Sequence, residues 1–557
     1  MGSDPTGALG AIRRRPWVSA LGLLMLISAA LLLTLGLDFG FFLDDWDLVI
    51  YREGSPTDWL LPHNEHIVVL PAAIYKLSLA VFGMNAGPLH VLAILLFLLS
   101  VGLLFLWLRP LIGEPASVIG CAVILFLGAA TEDLIWAFQM GFFGSMAAGL
   151  GALLLLRVRS RRNDALACLM LVISLLFSSL GLPFAVGAAL HILLRDDLKP
   201  EFREFLRRSW VFAIPLLVYG IWWLGWGRLA ENAVSLHNAF RDPLYLLSSI
   251  AYSASIMTGT FPIKELNGSY GWAVPGLLLT LSLGLVVFWR RRIPKELLVA
   301  VVAGFTFWTL AGLNFIPGRE FFSSRYGYPG AVFMLMILAG AVAGYRPGPL
   351  VLKCLGALAA FAVAVNAFVL AHEYRTFYKP YAEYGLAALT AFDLASRTVK
   401  PETSVGVNFS GTARVDAAHY LAATGEYGSP GLDEDEIDAA SEDHRTLLDQ
   451  NLVGTLPVSL LPASRVKPRR DQCRTVSADA DAGETLELQS GLLYIRANED
   501  VFIRLGRFGP GAGALAWLAR GGEPTGYKIP RDNSDRAWRI GFQGKGPVTV
   551  CPARMAG

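Results

Sequence analysis

The chain has 557 residues, of which 54% are hydrophobic and only 17% are charged. A soluble domain carries about 25% charged residues, so this composition argues against a soluble enzyme and indicates that lipid is the main solvent. The formal net charge of +2 offers no strongly basic surface for a nucleic acid, and we expect no such partner.

The first apolar run covers residues 17–37 and follows three arginines, Arg13, Arg14 and Arg15. Its length of about 20 residues is enough to cross a bilayer as a helix. A signal peptide would have a shorter apolar core and a small-residue cleavage site. We therefore predict a retained first membrane helix.

Further apolar runs bring the predicted number of membrane spans to about eleven by the length rule. They cover residues 88–108, 116–130, 140–156, 165–180, 183–194, 210–226, 272–289, 297–313, 329–343 and 351–371. The predicted fold class is an all-α polytopic membrane protein followed by an extracytoplasmic C-terminal domain that is α+β or β-rich.

Residues 66–82 decide the topology, because this apolar stretch is interrupted by Pro71, Lys76 and Ser78. Counting it as a span would place the arginine-rich loops at 157–162 and 290–292 outside, against the positive-inside bias. We therefore predict an interfacial helix within a first extracytoplasmic loop at residues 38–87. The N-terminus is then cytosolic, and the loops 227–271 and 314–328 and the chain after residue 372 lie outside. The abundance of Ala, Gly, Leu and Arg suits a high-GC bacterium, and we expect the protein in a bacterial cytoplasmic membrane.

From residue 374 the chain becomes more polar, and no later apolar run is long enough to span a bilayer. We expect a transmembrane domain at 1–373 and an extracytoplasmic domain at 374–557. Helical patterns cover 382–395 and 433–448, and alternating patterns at 485–496, 501–505 and 537–542 predict strands. Cys473 and Cys551 are candidates for a disulfide if this part lies outside the cytosol. The domain is either a sugar-binding module or a structural lid, and we favour the lid.

The clearest candidate for chemistry is Phe41-Phe-Leu-Asp-Asp-Trp-Asp47, directly after the first predicted span. Three carboxylates at a bilayer surface are costly unless they are solvated, paired or functional. Asp44 and Asp45 are adjacent and point in different directions on a helix, so one can face a cavity while the other anchors the loop. The alternative is a hydrated helix end beside an interfacial Trp46.

A second cluster, His63-Asn-Glu-His66, precedes the predicted interfacial helix. Histidine and carboxylate side chains bind metals, move protons or hold phosphate. The cluster lacks the HExxH spacing of a helical zinc site. We therefore expect His63, Glu65 and His66 to contact a sugar or phosphate, and we predict no metal site.

A third group lies in Thr131-Glu-Asp-Leu-Ile-Trp-Ala-Phe-Gln139, between two predicted spans on the same outer face. It supplies Glu132, Asp133, Trp136 and Gln139 as candidate substrate-binding residues. An indole can stack on a sugar ring, but the interfacial aromatic belt is the alternative for Trp136.

The fourth group lies in Arg319-Glu-Phe-Phe-Ser-Ser-Arg-Tyr-Gly-Tyr328. Arg325 comes where the next predicted span begins, and an arginine at that depth needs an anionic partner. A guanidinium matches phosphate oxygens, so Arg325 is the candidate for a lipid-linked phosphate. Arg319 and Tyr326 are secondary candidates, and Lys264 is a weaker one. The alternative for Arg325 is snorkelling towards lipid headgroups.

These motifs together resemble the GT-C superfamily of polytopic glycosyltransferases, which use polyprenyl-phosphate sugars. The likeness rests on Asp-Asp-Trp-Asp after the first span, Asn64-Glu-His66, Phe82-Gly-Met-Asn85 and Arg325-Tyr-x-Tyr-Pro329. It is best over about the first 150 residues. Protein mannosyltransferases and the lipid A aminoarabinose transferase are members. The resemblance implies polysaccharide or related biosynthesis, in which a sugar passes to an envelope glycan, lipid or protein.

The resemblance also implies roles for individual residues. An acidic residue of the first outer loop acts as the catalytic base, which Asp44 or Asp45 matches, with a slight preference for Asp45. Glu132 and Asp133 match a second acidic site near the acceptor or a metal, and Arg325 matches the residue that holds the donor phosphate. His63 and His66 match polar residues near the donor. No cofactor is required, because the leaving group is already a phosphate, although some members use a divalent metal.

Two other functions stay open at this point. A transporter or flippase for lipid-linked sugars would need charged or broken helices near the bilayer midplane, and often an internal repeat. Neither is clear in the sequence. The second alternative is a non-catalytic membrane protein whose outer domain binds a polysaccharide or a protein. The sequence does not say which sugar or acceptor is used.

Overall fold

The computed structural model describes residues 16–37, 39–52, 55–230, 234–260, 293–407, 414–480 and 484–556, with scattered helical positions between 276 and 289. By internal packing the chain forms two compact units. The first consists of Met1–Phe39, Arg52–Leu77 and Ala86–Thr376, and the second of Gly40–Tyr51, Ser78–Asn85 and Phe377–Gly557. Compactness does not place either unit relative to a membrane, so the expected transmembrane and extracytoplasmic domains stay a prediction.

The first unit is helical. Its helices are α1 (Pro16–Gly36), α2 (Pro56–Leu60), α3 (Val69–Phe82, whose last turn belongs to the second unit), α4 (Gly87–Ile112), α5 (Glu114–Leu125), α6 (Thr131–Ile135), α7 (Met140–Leu156), α8 (Arg161–Phe177), α9 (Gly181–Leu193), α10 (Phe202–Arg208), α11 (Trp210–Gly225), α12 (Leu236–Thr258), α13 (Lys295–Leu313), α14 (Gly327–Ala341) and α15 (Pro349–Glu373). Short 3-10 turns at Gly128–Ala130, Ala137–Gln139 and Ser324–Tyr326 precede α6, α7 and α14.

Several helices are long and apolar enough to cross a membrane, which indicates a multi-pass membrane protein. Within the described residues six stretches meet this criterion, and the pair α10 and α11, bent by 49°, makes a seventh if it is one span. The six are Pro16–Gly36, Gly87–Ile112, Glu114–Ile135, Ala137–Leu156, Lys295–Leu313 and Pro349–Ala395. The expected total of about eleven is not confirmed. The predicted span at 272–289 falls largely outside the described residues, as do Arg13 to Arg15, Lys264 and residues 290–292.

The predicted outer loop at 227–271 contains a helix, α12, of 23 residues. Its sequence has no continuous apolar run, because Ser249, Ser253 and Ser255 interrupt the apolar residues. Each of these serine hydroxyls donates a hydrogen bond of 2.8 Å to the carbonyl four residues earlier in the helix. The serines are thereby satisfied and buried, and the helix packs against α13 and α14.

Small residues allow the helices of the first unit to approach closely. A Cβ atom added at Gly149 of α7 would lie 2.2 Å from the Phe184 ring of α9, and one added at Gly144 would lie 2.6 Å from the Phe177 ring of α8. Glycines at helix contacts are typical of membrane bundles, where close packing replaces the hydrophobic effect.

The second unit combines four helices with two antiparallel sheets. The helices are α16 (Lys379–Ala395), α17 (Ala417–Tyr427), α18 (Glu434–Ala439) and α19 (Glu442–Thr455). The strands are β1 (Ser404–Gly406), β2 (Arg414–Asp416), β3 (Ser459–Pro462), β4 (Val466–Pro468), β5 (Arg474–Ala478), β6 (Thr485–Leu488), β7 (Gly491–Ala497), β8 (Val501–Gly506), β9 (Ala514–Ala519), β10 (Thr525–Ile529), β11 (Trp538–Gln543) and β12 (Gly546–Met555).

The larger sheet has the order β3-β10-β7-β12-β4, with β5 also paired to β12, and the smaller sheet has the order β6-β11-β8-β9. The short strands β1 and β2 form a separate ribbon. Apolar side chains of both sheets and of α16 and α19 share one buried core, which includes Ile495, Ile503, Trp538 and Leu452.

Several predictions for this unit are confirmed. The region is β-rich, the predicted strands at 501–505 and 537–542 correspond to β8 and β11, and the predicted helix at 382–395 is the greater part of α16. The predicted strand at 485–496 is two strands, β6 and β7, which belong to different sheets. The predicted helix at 433–448 is two helices, because Asp433 caps α18 and Ser441 starts α19 as a second N-cap. Cys473 and Cys551 form a disulfide that links residues 78 positions apart.

Candidate functional site

The segment His63–His66 of the first unit is a tight turn. The backbone N–H groups of His63 and His66 each donate to the carbonyl of the other residue, at 3.0 Å. Asn64 has a φ of 50°, in the left-handed region that asparagine tolerates better than most residues. The turn presents the side chains of Asn64 and Glu65 from a fixed backbone.

Arg319 holds this turn. Its Nη1 forms an ion pair with Glu65 Oε1, and its Nη2 donates to Asn64 Oδ1 at 3.4 Å. The carbonyl of Arg319 accepts a hydrogen bond of 3.2 Å from the Tyr245 hydroxyl of α12. The Arg319 and Glu65 side chains are 15% and 19% exposed, so water reaches the pair only in part. The structure thus brings together two residues that the sequence placed in separate groups.

Arg325 forms a second pair with Glu132. Its Nε lies 3.1 Å from Glu132 Oε1, and the Ser324 hydroxyl donates to Glu132 Oε2 at 3.2 Å. Arg325 belongs to the turn Ser324–Tyr326 that leads directly into α14, whereas Glu132 is in α6. The Arg325 side chain is 32% exposed, more than any other member of the two pairs.

Asp133 differs from its neighbour Glu132, because it is fully buried. Its Oδ2 accepts a hydrogen bond of 3.3 Å from the backbone N–H of Tyr328, in the first turn of α14. The first N–H groups of a helix have no acceptor within the helix. Asp133 of α6 supplies an acceptor for one of them in α14. This contact gives Asp133 a role in fixing where α14 begins, and hence where Arg325 lies.

The turn before α6 is positioned by Asn366, a fully buried residue of α15. Its Oδ1 accepts from the Ala129 N–H at 2.8 Å, and its Nδ2 donates to the carbonyls of Ile256 and Ala362, both at 2.9 Å. Asn366 thereby links α12, α15 and the turn that precedes α6, the helix that carries Glu132. In the sequence, Asn366 is distinguished as an amide side chain inside an apolar run. Such a side chain is energetically unfavourable in lipid unless it has hydrogen-bond partners.

The aromatic residues of the third group pack against the histidines. The His63 ring lies 4.9 Å from the Phe138 ring, and Trp136 stacks on Phe138 at 5.2 Å. His66 contacts Phe142 edge-on at 5.9 Å. Trp136 and Gln139 are buried, which favours packing over sugar stacking for this indole.

The charges of this cluster act on one another. The pKa of His66 is lowered to about 4, mainly by burial, with Glu65 opposing this effect and the positive charges of Arg319 and Arg325 adding to it. His66 is therefore neutral at pH 7, and its buried Nδ1 has no hydrogen-bond partner among the residues described. Burial likewise raises the pKa of the Tyr326 phenol, which stays protonated. Among the described ion pairs of this cluster, the positively charged side chains are Arg319 and Arg325.

Asp44 and Asp45 belong to the second unit and differ in their surroundings. Asp45 is 1% exposed, and its Oδ2 accepts a hydrogen bond of 2.7 Å from the Phe42 N–H. Asp44 is only partly buried, and its carbonyl accepts from the Asp47 N–H at 3.1 Å. Asp45 therefore anchors this turn, and Asp44 is the more exposed of the two carboxylates. Which of the two is the base stays a prediction.

Neither the chain nor its fold has a match among protein-family models, curated proteins or solved structures. In the part of the chain that the structure describes, no three His, Cys, Asp or Glu side chains are grouped in a way that could hold a metal ion. The chemically distinctive features of the described residues are the two arginine–carboxylate pairs and the acidic residues Asp44 and Asp45.

Proposed function

We propose that the protein is a GT-C-type membrane glycosyltransferase, which moves a sugar from a polyprenyl-phosphate donor to an envelope glycan, lipid or protein. The reaction takes place on the extracytoplasmic face of a bacterial cytoplasmic membrane. The observation that carries the proposal is the Arg325–Glu132 pair at the start of the apolar helix α14. An arginine at the end of an apolar helix lies where a lipid-linked phosphate would be.

Arg325 binds the donor phosphate in this proposal. A guanidinium has five N–H donors in a planar fork, a geometry that matches phosphate oxygens. Glu132 keeps Arg325 oriented when no donor is bound and moves aside or shares the guanidinium when the phosphate arrives. Arg319, whose carboxylate pair is less exposed, holds the His63–His66 turn and adds positive potential.

Asp44 is the base. Its carboxylate takes the proton of an acceptor hydroxyl as that oxygen attacks the anomeric carbon of the donor. The new carbon–oxygen bond forms as the bond from the anomeric carbon to the phosphate oxygen breaks, and the electron pair leaves with the polyprenyl phosphate. Arg325 offsets the charge that develops on the phosphate. A single displacement of this kind inverts the anomeric centre, and no metal or other cofactor is required.

The test is transfer by the purified full-length protein, given radiolabelled undecaprenyl-phosphate mannose and a cell-envelope fraction as acceptor. Because the sugar is not specified, the probe is repeated with the glucose, arabinose and aminoarabinose donors. Wild-type protein should form labelled envelope product with one donor, and Asp44→Asn should lower the rate by at least about a hundredfold. Movement of donor between leaflets without product would indicate a flippase, and binding without product a non-catalytic protein.

A further inference from the structure

The acidic segment, defined as residues 41–47, packs with the C-terminal part of the chain. It lies in the Gly40–Tyr51 portion of the second unit, together with Phe377–Gly557. The buried ring of Phe42 lies 5.8 Å from that of Tyr378 and 6.3 Å from that of Tyr381. The position of Asp44 is thus set in part by residues more than three hundred positions later in the sequence.

The segment that follows is fixed at Tyr51. The Tyr51 hydroxyl lies 3.1 Å from both Asp416 Oδ2 and the Arg414 carbonyl, and it accepts from the Asp416 N–H at 3.4 Å. The Tyr51 ring also packs against His419, with 5.2 Å between ring centroids. Tyr51 ends the short π-helical turn Asp47–Tyr51, so this contact holds the turn that continues the acidic segment.

Asp416 is itself held by several contacts. It is the N-cap of α17, where it accepts from the His419 N–H at 3.0 Å, and its oxygens lie 2.8 and 2.9 Å from His419 Nδ1. Burial alone would raise the pKa of Asp416, but the hydrogen bonds from His419 and Tyr51 outweigh it and lower the pKa. Asp416 is therefore an ionised anchor with little freedom of its own.

The other end of α17 holds a second piece of the first loop. The Met84 N–H donates to the carbonyl of Tyr427, the last residue of α17, at 3.2 Å. Gly83 has a φ of +64°, and a Cβ atom there would lie 2.5 Å from the same carbonyl oxygen. One helix of the C-terminal part thus contacts residues 47–51 at its start and residues 83–84 at its end.

We propose that α17 is a strut that positions the catalytic base, with Tyr51, Asp416 and His419 as positioning residues. The kinetic part of this inference rests on the proposed function, whereas the structural part does not. The strut gives the second unit a part in holding the acidic segment, in addition to any lid or sugar-binding role.

The test compares full-length variants in detergent by hydrogen exchange and by transfer kinetics. Asp416→Ser keeps an N-cap but is too short to reach Tyr51, Tyr51→Phe removes only the hydroxyl, and Asp416→Asn restores both the cap and an acceptor. Asp433→Ser is the matched control, because Asp433 caps α18 in the same unit. Loss of one hydrogen bond should speed exchange of the amides of residues 42–51 about fivefold in Asp416→Ser and Tyr51→Phe, but not in Asp433→Ser.

In transfer assays the same two variants should lose about fivefold in kcat with little change in the donor KM, and Asp416→Asn should recover most of it. Unchanged exchange in Asp416→Ser and Tyr51→Phe overturns the strut. Faster exchange with an unchanged kcat also overturns the strut, because the position of the base would then not depend on the contact with α17. If no protein, wild type included, transfers sugar while exchange rises as expected, the proposed function fails and the strut stands.

Discussion

The Arg325 guanidinium and the Glu132 carboxylate form an ion pair between the turn that starts α14 and the short helix α6. Arg319 and Glu65 form a second such pair. Each cation of the cluster therefore already has a counter-ion, and a donor phosphate has to share or displace a carboxylate to bind. Glu132 is the carboxylate of the more exposed pair, so exchange should take place there.

Arg325→Gln should weaken binding of undecaprenyl phosphate about tenfold to a hundredfold, because charge-assisted hydrogen bonds to the phosphate are lost. Binding can be measured by tryptophan fluorescence or native mass spectrometry. The control is Arg109→Gln, which removes an exposed arginine 3.8 Å from Glu114 at the junction of α4 and α5. Equal affinity of wild type and Arg325→Gln would remove Arg325 as the phosphate ligand.

Asp44→Asn and Asp45→Ala should have different effects. Asp44→Asn should abolish transfer at an unchanged melting temperature. Asp45→Ala should destabilise the protein by about 1–3 kcal/mol, because the buried Phe42 N–H loses its acceptor. Melting temperatures and donor binding, followed together with transfer rates, separate the two effects. If Asp45→Asn, which keeps an acceptor oxygen, abolishes transfer while Asp44→Asn does not, Asp45 is the base.

The pH dependence of stability should report on His66. Its pKa in the folded protein, about 4, lies below the ordinary value of 6.5, so the unfolded chain binds the proton more tightly. Stability supplied by the neutral ring is complete above pH 6.5 and is lost as the pH falls towards 4. The loss should amount to about 3 kcal/mol, since the two pKa values differ by about 2.5 units and each unit corresponds to about 1.4 kcal/mol.

Melting curves of wild type and His66→Gln between pH 4 and 8 measure this loss. The difference in melting temperature between the two proteins should shrink or reverse at acid pH. Only the wild type has a buried imidazole there that becomes charged on protonation. Parallel curves over the whole range would show that His66 does not titrate as its surroundings indicate.

Reduction of the Cys473–Cys551 disulfide should destabilise the second unit by about 4 kcal/mol, because the bond closes a loop of 78 residues in the unfolded chain. Unfolding in urea with and without dithiothreitol gives the difference, and a Cys473→Ser, Cys551→Ser protein should show no response to the reductant. If dithiothreitol destabilised the double variant as much as the wild type, the loss of stability would not come from the Cys473–Cys551 disulfide.

Apolar runs predicted most helices of the first unit, whereas in the second unit the sequence patterns located only three of the helices and four of the strands. Met140–Leu156 was predicted with the bounds it has, because its sequence is uninterrupted and apolar. The helix α12 was missed since its serines read as a loop, although their hydroxyls bond to helical carbonyls. A hydropathy profile counts these serines as polar residues. It does not detect that their hydroxyls are hydrogen-bonded to carbonyls of the same helix.

The site was predicted as groups of residues and not as pairs. Glu65 and Arg319, or Glu132 and Arg325, are far apart in the chain, and nothing in their local patterns specifies which acid meets which base. The difference between Asp44 and Asp45 depends on which carboxylate turns back to the Phe42 N–H, a property of side-chain direction that spacing does not reveal. The contact of Tyr51 with Asp416 has no sequence signal for the same reason.

A lipid-linked donor and Asp44 must meet on the extracytoplasmic face, so the side of the membrane on which the first loop lies is the decisive measurement. Trp46 is buried, so the labelling site is Thr57→Cys, an exposed residue of the same loop, in a chain with Cys354→Ser. Arg161→Cys, exposed at the start of α8, is the control for the cytosolic face. A membrane-impermeant maleimide should label Thr57→Cys in intact cells and Arg161→Cys only after lysis. Labelling of Thr57→Cys only after the cells are broken open would contradict the account.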